Sequence, residues 1–157
     1  KELRRLPPES RIMETGGFKA QTRDVTKEQL YKSLSTTVGL ELNRIVNEYG
    51  MTELLSQLYE SNLTQPNAIQ AGHTLPPWLR VRALNPMTLE PVAENETGLL
   101  AFFDLANLGS VCHVLTEDVG RVIGGKVHLE GRFPNAEPRG CSRTMDELMA
   151  SSRVTRR

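Results

Sequence analysis

The seven residues Asn47-Glu48-Tyr49-Gly50-Met51-Thr52-Glu53 form a predicted turn between a buried strand and a short helix, Glu53–Tyr59. A helix N-terminus presents unpaired N–H groups and the positive end of the helix dipole, so a phosphate group can bind there. The Thr52 hydroxyl can donate to a phosphate oxygen, the Glu53 carboxylate can hold Mg²⁺ beside it, and Tyr49 offers a flat face to a base. From spacing alone, the same three residues also fit a helix cap, a first-turn acid and a core aromatic side chain.

The residues before this segment predict a strand, a helix and a second strand. Arg11–Glu14 is a predicted short strand, and the Gly16-Gly17 pair after it lets the backbone turn or approach a ligand closely. A capping box in Thr26–Gln29 opens a helix that Gly39 ends, and Leu42–Val46 is the predicted buried strand. This order is typical of an α/β fold.

The residues after the segment predict mainly β-structure. Residues 61–77 are polar and contain three prolines, which indicates a loop or an internal boundary. The predicted strands are Trp78–Leu84, Leu99–Leu105, Val111–Leu115, and a hairpin of Arg121–Ile123 with Lys126–Glu130 around Gly124-Gly125, followed by a short capped helix at Thr144–Glu147. We therefore expect an α/β subdomain over residues 1–60, a boundary over 61–77, a β-rich subdomain over 78–132 and a C-terminal segment over 133–157.

Composition narrows the possible classes of protein. The 157 residues carry 19 Lys and Arg against 19 Asp and Glu, and a net charge of zero gives no support to nucleic-acid binding. No apolar stretch approaches the ~20 residues that a transmembrane helix needs. Two cysteines cannot form a disulfide framework, which favours the cytoplasm. The N-terminal residues show no signal peptide, and because the sequence starts with Lys rather than Met we interpret it as a fragment or a processed chain.

The two cysteines have different surroundings. Cys141 lies between Arg139 and Arg143, just before the predicted terminal helix, and both the helix dipole and the cations favour the nucleophilic thiolate. The alternative for Cys141 is a small apolar residue in a turn. Cys112 lies in the apolar run Val111–Leu115 and is predicted to be buried and inert.

The histidines predict no metal site. His73, His113 and His128 have no cysteine or second histidine at ligand spacing. We expect surface or strand positions for all three rather than a catalytic base.

Several segments together resemble one enzyme superfamily. Asn-x-Tyr-Gly-x-Thr-Glu at 47–53 resembles the signature of the adenylate-forming enzymes, which include acyl-CoA ligases, peptide-synthetase adenylation domains and luciferases. Three further segments follow in the same order as in that superfamily: Gly98-Leu99-Leu100, Thr116-Glu117-Asp118 and Gly131-Arg132. Thr15-Gly16-Gly17 corresponds to its Gly-Gly turn against the adenine. The resemblance implies the end of an adenylate-forming N-terminal domain followed by a β-rich subdomain.

Within the superfamily, the chain is most similar to the acyl-protein synthetases, the fatty-acid-activating subunits of the bacterial luminescence fatty acid reductase complex. Four segments carry this similarity: Glu14–Lys19, Tyr49–Leu54, Phe103–Asn107 and Glu137–Ser142. The resemblance implies activation of a fatty acid by ATP and Mg²⁺ to an acyl-adenylate, transfer to Cys141 as a thioester, and a partner reductase that accepts the acyl group.

The resemblance also implies a role for each matched residue. Nucleotide contacts are expected from Gly16, Gly17, Tyr49, Gly50, Thr52, Asp118 and Arg132. Asp118 would accept hydrogen bonds from the ribose hydroxyls, and Arg132 would contact the ribose or a phosphate. Glu53 would hold Mg²⁺, and Thr52 and Cys141 would take part in the chemistry.

The sequence departs from the superfamily pattern in several places, among them Phe133-Pro134-Asn135, which stands where the superfamily has an acidic hinge. Glu117 stands where the superfamily has glycine, which would alter a turn presenting Asp118. The Ser/Thr/Gly-rich loop that holds the triphosphate does not occur in these residues, so we expect the C-terminal part of an enzyme, inactive by itself. Two alternatives stay open: an acyl- or aryl-CoA ligase of the phenylacetate type, with free CoA as acceptor, and a non-catalytic binding remnant.

Overall fold

A computed structural model describes residues 5–15, 25–61 and 72–134 of the chain. Its elements in chain order are β1 (Ile12–Glu14), α1 (Lys27–Val38), a 3-10 turn (Leu42–Arg44), β2 (Ile45–Tyr49), β3 (Leu58–Glu60), β4 (His73–Thr74), β5 (Leu79–Leu84), β6 (Gly98–Asp104), β7 (His113–Ile123) and β8 (Lys126–Arg132). No helix in these three ranges is long and apolar enough to cross a membrane.

The strands follow the order β1-β2-β3-β4-β8-β7-β6-β5. β1 and β2 are parallel, with Glu14 opposite Asn47, and the other neighbouring strands are antiparallel. The β1-α1-β2 unit confirms the α/β class, and the antiparallel strands that follow confirm the β-rich part. Because parallel strands end at the same sheet edge, the chain leaves β1 and β2 on one side, at Glu14 and Tyr49.

Local signals determine the helix and the last hairpin as expected. The Thr26 side chain accepts from the Gln29 backbone while the Gln29 side chain accepts from the Thr26 backbone, and Gly39 ends α1 with φ of 73°. In the β7–β8 hairpin, Gly124 and Gly125 have φ of 55° and 73°. Two successive positive φ angles match the primed turns that join antiparallel strands, and glycine adopts them without a steric penalty.

The hydrophobic core lies between the loop after β2 and the β5–β8 strands. Its buried members are Leu54, Leu58, Leu79, Ala83, Leu100, Phe102 and Val127, and Tyr49 packs against them half-buried. The core therefore holds the sequence segment around Tyr49 directly against β6 and β8.

The predicted helix Glu53–Tyr59 is wrong. Glu53 lies in a turn, and from Leu54 onward burial alternates: Leu54, Ser56, Leu58 and Glu60 are buried, and the residues between them are exposed. A period of two marks a strand-like segment. β3 occupies its last part and pairs with β2 and β4.

Two smaller predictions of strands also change. The predicted strand Leu42–Val46 begins as a 3-10 turn, and the strand itself is shifted to Ile45–Tyr49. His113–Leu115 of the predicted strand Val111–Leu115 and the predicted strand Arg121–Ile123 belong to one long strand, β7, which a bulge between Val119 and Gly120 divides. The predicted boundary over 61–77 contains β4, through which β3 connects to β8. The predicted terminal helix that Thr144–Glu147 caps lies outside the described residues, and the division into four segments stays a prediction.

Candidate functional site

Tyr49, the last residue of β2, joins three parts of the sheet. Its ring stacks on Phe102 of β6 at 5.8 Å between centroids and meets His73 of β4 edge-on at 6.2 Å. Its hydroxyl donates to Asp118 Oδ2 in β7 at 2.6 Å. Burial, together with the Asp118 carboxylate, raises the pKa of Tyr49 above its ordinary value, so the phenol keeps its proton and remains a donor.

Asp118 lies in the middle of β7 and faces Arg132 of β8 in the strand register. Arg132 Nε lies 3.3 Å from Asp118 Oδ1, and Arg132 Nη2 donates to Glu117 Oε2 at 3.0 Å. The backbone N–H of Asp118 donates to Thr116 Oγ1, and the Thr116 hydroxyl donates to the Leu100 carbonyl. The structure thus brings together Tyr49, Asp118 and Arg132, which are far apart in the sequence.

The expected effect of Glu117 on a turn is wrong. Thr116–Asp118 belongs to β7, where the backbone is extended and glycine is not required. Glu117 instead forms an ion pair with Arg132 and so adds a negative charge beside Asp118.

Thr52 and Glu53 lie on an exposed turn directly after β2, and the Thr52 hydroxyl donates to Glu53 Oε2 at 3.1 Å. Because no helix follows, no helix dipole acts at this turn, and that part of the phosphate-binding argument fails. The hydroxyl and the carboxylate themselves stay accessible to a ligand. Across the described residues, no group of three or more His, Cys, Asp or Glu side chains is arranged to hold a metal ion.

A buried acid, Asp104, holds this loop in place. The sequence indicates it only as part of the segment Phe103–Asn107. Asp104 at the end of β6 is fully buried and accepts hydrogen bonds from the backbone N–H of Ser56 at 2.9 Å, the Ser56 hydroxyl at 2.8 Å and the backbone N–H of Ala106 at 3.0 Å. Burial raises the pKa of this carboxyl, but the hydrogen bonds outweigh burial, and the net pKa lies below the ordinary value.

Asn107 completes the attachment of the loop. Its amide nitrogen donates to the Glu53 carbonyl at 2.7 Å, and its amide oxygen accepts from the Leu55 N–H at 2.8 Å. Asp104 and Asn107 both belong to Phe103–Asn107, one of the segments that carries the family resemblance. That resemblance is the sequence signal that could have identified them.

A second polar cluster lies at the carboxyl ends of β1 and β2. Asn47 donates to Glu14 Oε1 at 2.6 Å, and Asn47 Oδ1 lies 2.6 Å from His73 Nε2. Tyr31 of α1 donates to Glu14 Oε1 at 3.1 Å, and Lys27 pairs with the buried Glu60 at 2.7 Å. This cluster fixes the end of β1, immediately before the glycine pair, against β2.

The remaining predicted residues have different outcomes. Gly50 is exposed at the end of β2. Gly16, Gly17 and Cys141 lie outside the described residues. Cys112 is partly exposed rather than buried, because it stands just before β7 and outside the core.

The histidines occupy strands, as expected. His73 is buried, His128 is half-buried, and His113 is exposed with its ring stacked on Phe103 at 4.4 Å. Burial is the largest cause that lowers the pKa of both His73 and His128.

Solved structures identify the class of fold. A luciferase-like enzyme from the mealworm Zophobas morio has a TM-score of 0.53 at 18% identity, with 82% of this chain and 32% of that chain covered. A long-chain-fatty-acid-CoA ligase from Archaeoglobus fulgidus has a TM-score of 0.52 at 14% identity, with 89% and 30% covered. The fold is therefore that of part of an adenylate-forming enzyme domain.

The sequence comparisons identify the family. The family model described as acyl-protein synthetase, LuxE, matches residues 4–150, and the chain belongs to that family. The long-chain-fatty-acid–luciferin-component ligase of Aliivibrio fischeri is 28% identical over 149 residues, which cover 88% of this chain and 38% of that protein. The chain thus spans about two fifths of the length of the curated relatives that it matches.

Proposed function

We propose that this chain is the nucleotide- and acyl-handling part of a ligase that activates a fatty acid with ATP and transfers the acyl group to its own cysteine, Cys141. The observation that carries the proposal is the contact of Tyr49, Asp118 and Arg132 within a fold of the adenylate-forming class. Membership of the acyl-protein synthetase family supports a fatty acid as substrate.

The three residues form a surface suited to a nucleoside monophosphate. The Asp118 side chain is 22% exposed and its carboxylate can accept hydrogen bonds from two ribose hydroxyls. Arg132 supplies a planar cation for a phosphate or ribose oxygen, at 37% side-chain exposure. One face of the Tyr49 ring is taken by Phe102, so a base would use the other face.

The proposed reaction has two steps. The fatty acid carboxylate attacks the α-phosphorus of ATP, a carboxyl oxygen–phosphorus bond forms, and pyrophosphate leaves. The Cys141 thiolate then attacks the acyl carbon, a carbon–sulfur bond forms, and AMP leaves. The Thr52 hydroxyl donates to the charged phosphate during the first step.

Glu53 suits a hard cation, since its carboxylate is exposed and Mg²⁺ prefers a few protein oxygens together with water and substrate phosphates. A bound Mg²⁺ would offset the negative charge of the phosphates. The thioester on Cys141 is then the form in which a partner reductase can accept the acyl group. We assign this chemistry to the cytoplasm.

Intact mass spectrometry tests the proposal on the longest chain that the gene encodes, after incubation with ATP, Mg²⁺ and a long-chain fatty acid. We expect one acyl mass that neutral hydroxylamine removes. Cys141→Ala should lack it, and Cys112→Ala, the matched control, should retain it. ATP–pyrophosphate exchange without an acyl mass would instead indicate a ligase that uses free CoA, and absence of both signals would favour a binding remnant.

A further inference from the structure

We propose that the Tyr49 hydroxyl is a positioning group: it fixes the Asp118 carboxylate so that the site prefers a ribonucleotide to a deoxyribonucleotide. The inference rests on the proposed nucleotide-binding function of the site and extends it to sugar selectivity. It assigns to the hydroxyl a role separate from that of the Tyr49 ring.

The geometry holds Asp118 from two sides. Oδ2 accepts from the Tyr49 hydroxyl of β2 at 2.6 Å, and Oδ1 lies 3.3 Å from Arg132 Nε of β8. A carboxylate can accept about four hydrogen bonds, so both oxygens keep capacity for a further donor. With each oxygen bound to a different strand, the carboxylate plane is fixed, and a vicinal diol that needs both oxygens meets them already oriented.

Of the two contacts, the one from Tyr49 is the more specific. Arg132 also donates to Glu117 Oε2 at 3.0 Å and is therefore shared between two carboxylates. The Tyr49 hydroxyl donates to Asp118 at 2.6 Å, with the Thr116 hydroxyl as a further polar neighbour, and the phenol remains protonated because burial and Asp118 raise its pKa. Without the hydroxyl, Asp118 would be free to rotate toward Arg132, and the oxygen that now faces Tyr49 would lose its fixed direction.

The ring position does not depend on the hydroxyl. Stacking on Phe102 and the edge contact with His73 hold the ring within the core. Tyr49→Phe therefore removes one hydrogen bond and leaves the packing and any stacking on a base in place. This separates sugar recognition from base recognition in a single substitution.

Isothermal titration with AMP, 2′-deoxy-AMP and 3′-deoxy-AMP tests the inference on the longest chain that the gene encodes. The wild type should bind AMP more tightly than either deoxynucleotide. Tyr49→Phe should weaken AMP binding by about threefold to tenfold, which corresponds to the net contribution of one ordinary hydrogen bond, and should change deoxynucleotide binding little. The preference for AMP should therefore shrink or disappear.

Tyr59→Phe is the matched control. Tyr59 lies on β3 with its hydroxyl exposed toward Gln57 at 3.3 Å, and its loss should leave the nucleotide preference unchanged. An unchanged preference in a folded Tyr49→Phe protein would overturn the inference while leaving the proposed nucleotide site intact. A wild type that binds none of the three nucleotides would overturn the proposed function, and the inference with it.

If Tyr49→Phe does not fold, a second variant tests the Asp118 carboxylate, on which the inference depends. In Asp118→Asn the amide oxygen still accepts from Tyr49, but the amide nitrogen cannot accept a ribose hydroxyl, so the preference for AMP should fall. Glu117→Gln, which removes the neighbouring charge, should keep it. Retention of the full preference in Asp118→Asn would contradict the inference.

Discussion

At the scale of single residues, Asp104 shows how one buried acid determines the conformation of a distant loop. It is fully buried, yet three hydrogen-bond donors from Ser56 and Ala106 surround its carboxylate. The Trp78 indole N–H also donates to the Ser56 hydroxyl at 2.9 Å, which extends the cluster to the start of β5. The turn that carries Thr52 and Glu53 is thus fixed by a residue about fifty positions later.

We expect Asp104→Asn to lower the free energy of unfolding by about 2–4 kcal/mol at neutral pH, because an amide NH₂ would face N–H donors in a buried position. Urea unfolding monitored by circular dichroism measures this. Since the folded pKa of Asp104 is lowered, its carboxylate stabilises the protein above its unfolded pKa, and this contribution is lost as the pH falls through the folded pKa. The difference in unfolding free energy between wild type and Asp104→Asn should therefore shrink in acid. The exposed control Glu90→Gln should leave the unfolding free energy unchanged.

Gly50 allows a test of ligand approach without a change in folding. A Cβ there would lie 3.5 Å from Glu48 Oε1 and 3.6 Å from Gln57 Cγ, which is ordinary contact. We expect Gly50→Ala to change the free energy of unfolding by less than about 1 kcal/mol. It should weaken AMP binding by roughly tenfold, because the added methyl group would remove one contact between the backbone and the nucleotide. Gly109→Ala, where an added Cβ meets nothing within 4 Å, is the control for titration calorimetry. Equal AMP affinity in both variants would argue against a nucleotide contact at Gly50.

At the scale of elements, the sequence predicts structure well where the signal is local. α1 has its cap, its apolar positions and its stop within the fourteen residues Thr26–Gly39, and it forms as expected. The stretch Glu53–Tyr59 has helix-forming residues and a plausible cap, yet it forms no helix, because Asp104 binds the backbone and the hydroxyl of Ser56 and β4 pairs with Tyr59 and Glu60. Those partners lie outside any local window, so tertiary contacts override the local preference.

The same difference applies to the candidate site. The motif around Tyr49 indicates a nucleotide contact, and the resemblance indicates Asp118 and Arg132, but the sequence contains no signal for the bond between the Tyr49 hydroxyl and Asp118. That bond depends on the order in which β2, β7 and β8 pair. The residues were predictable, whereas their mutual geometry was not.

The capping box of α1 should contribute measurably to stability. We expect Thr26→Ala to lower the free energy of unfolding by about 1 kcal/mol, since it removes the oxygen that accepts from the Gln29 backbone. Thermal unfolding compares it with Thr36→Ala in the exposed last turn of the same helix, which should be neutral or slightly stabilising because alanine is the better helix former. Equal losses in both variants would show that the cap is not what stabilises the helix start.

At the scale of the whole molecule, β4 joins the two halves of the sheet, β1–β3 on one side and β5–β8 on the other. β3 and β8 both pair with this two-residue strand. His73 on β4 adds side-chain contacts in both directions: its Nε2 lies 2.6 Å from Asn47 Oδ1 on β2, and its Nδ1 lies 3.3 Å from the Val127 carbonyl on β8. A charge change on one buried imidazole therefore acts on the contact between the two halves.

Stability should fall as the pH decreases through the range in which histidine titrates. Burial lowers the pKa of His73 below its unfolded value; the Glu60 carboxylate opposes this shift, and Lys27 and His128 reinforce it. The unfolded chain then binds a proton that the folded chain does not, so stability is complete above the unfolded pKa, near 6.5, and decreases as the pH falls toward the folded pKa. For one such group the loss is at most about 1.4 kcal/mol per pH unit.

His73→Gln tests whether this residue is the source of the pH dependence. The unfolding free energy, measured in urea at several pH values between about 7.5 and 5.5, should vary less with pH in this variant than in the wild type. His128, whose pKa is also lowered, should account for the remaining dependence. His113→Gln is the control, since that exposed ring takes no part in the join, and its pH dependence should match the wild type. An undiminished pH dependence in His73→Gln would show that the two halves of the sheet do not respond to the charge of His73, and that the acid sensitivity arises elsewhere in the molecule.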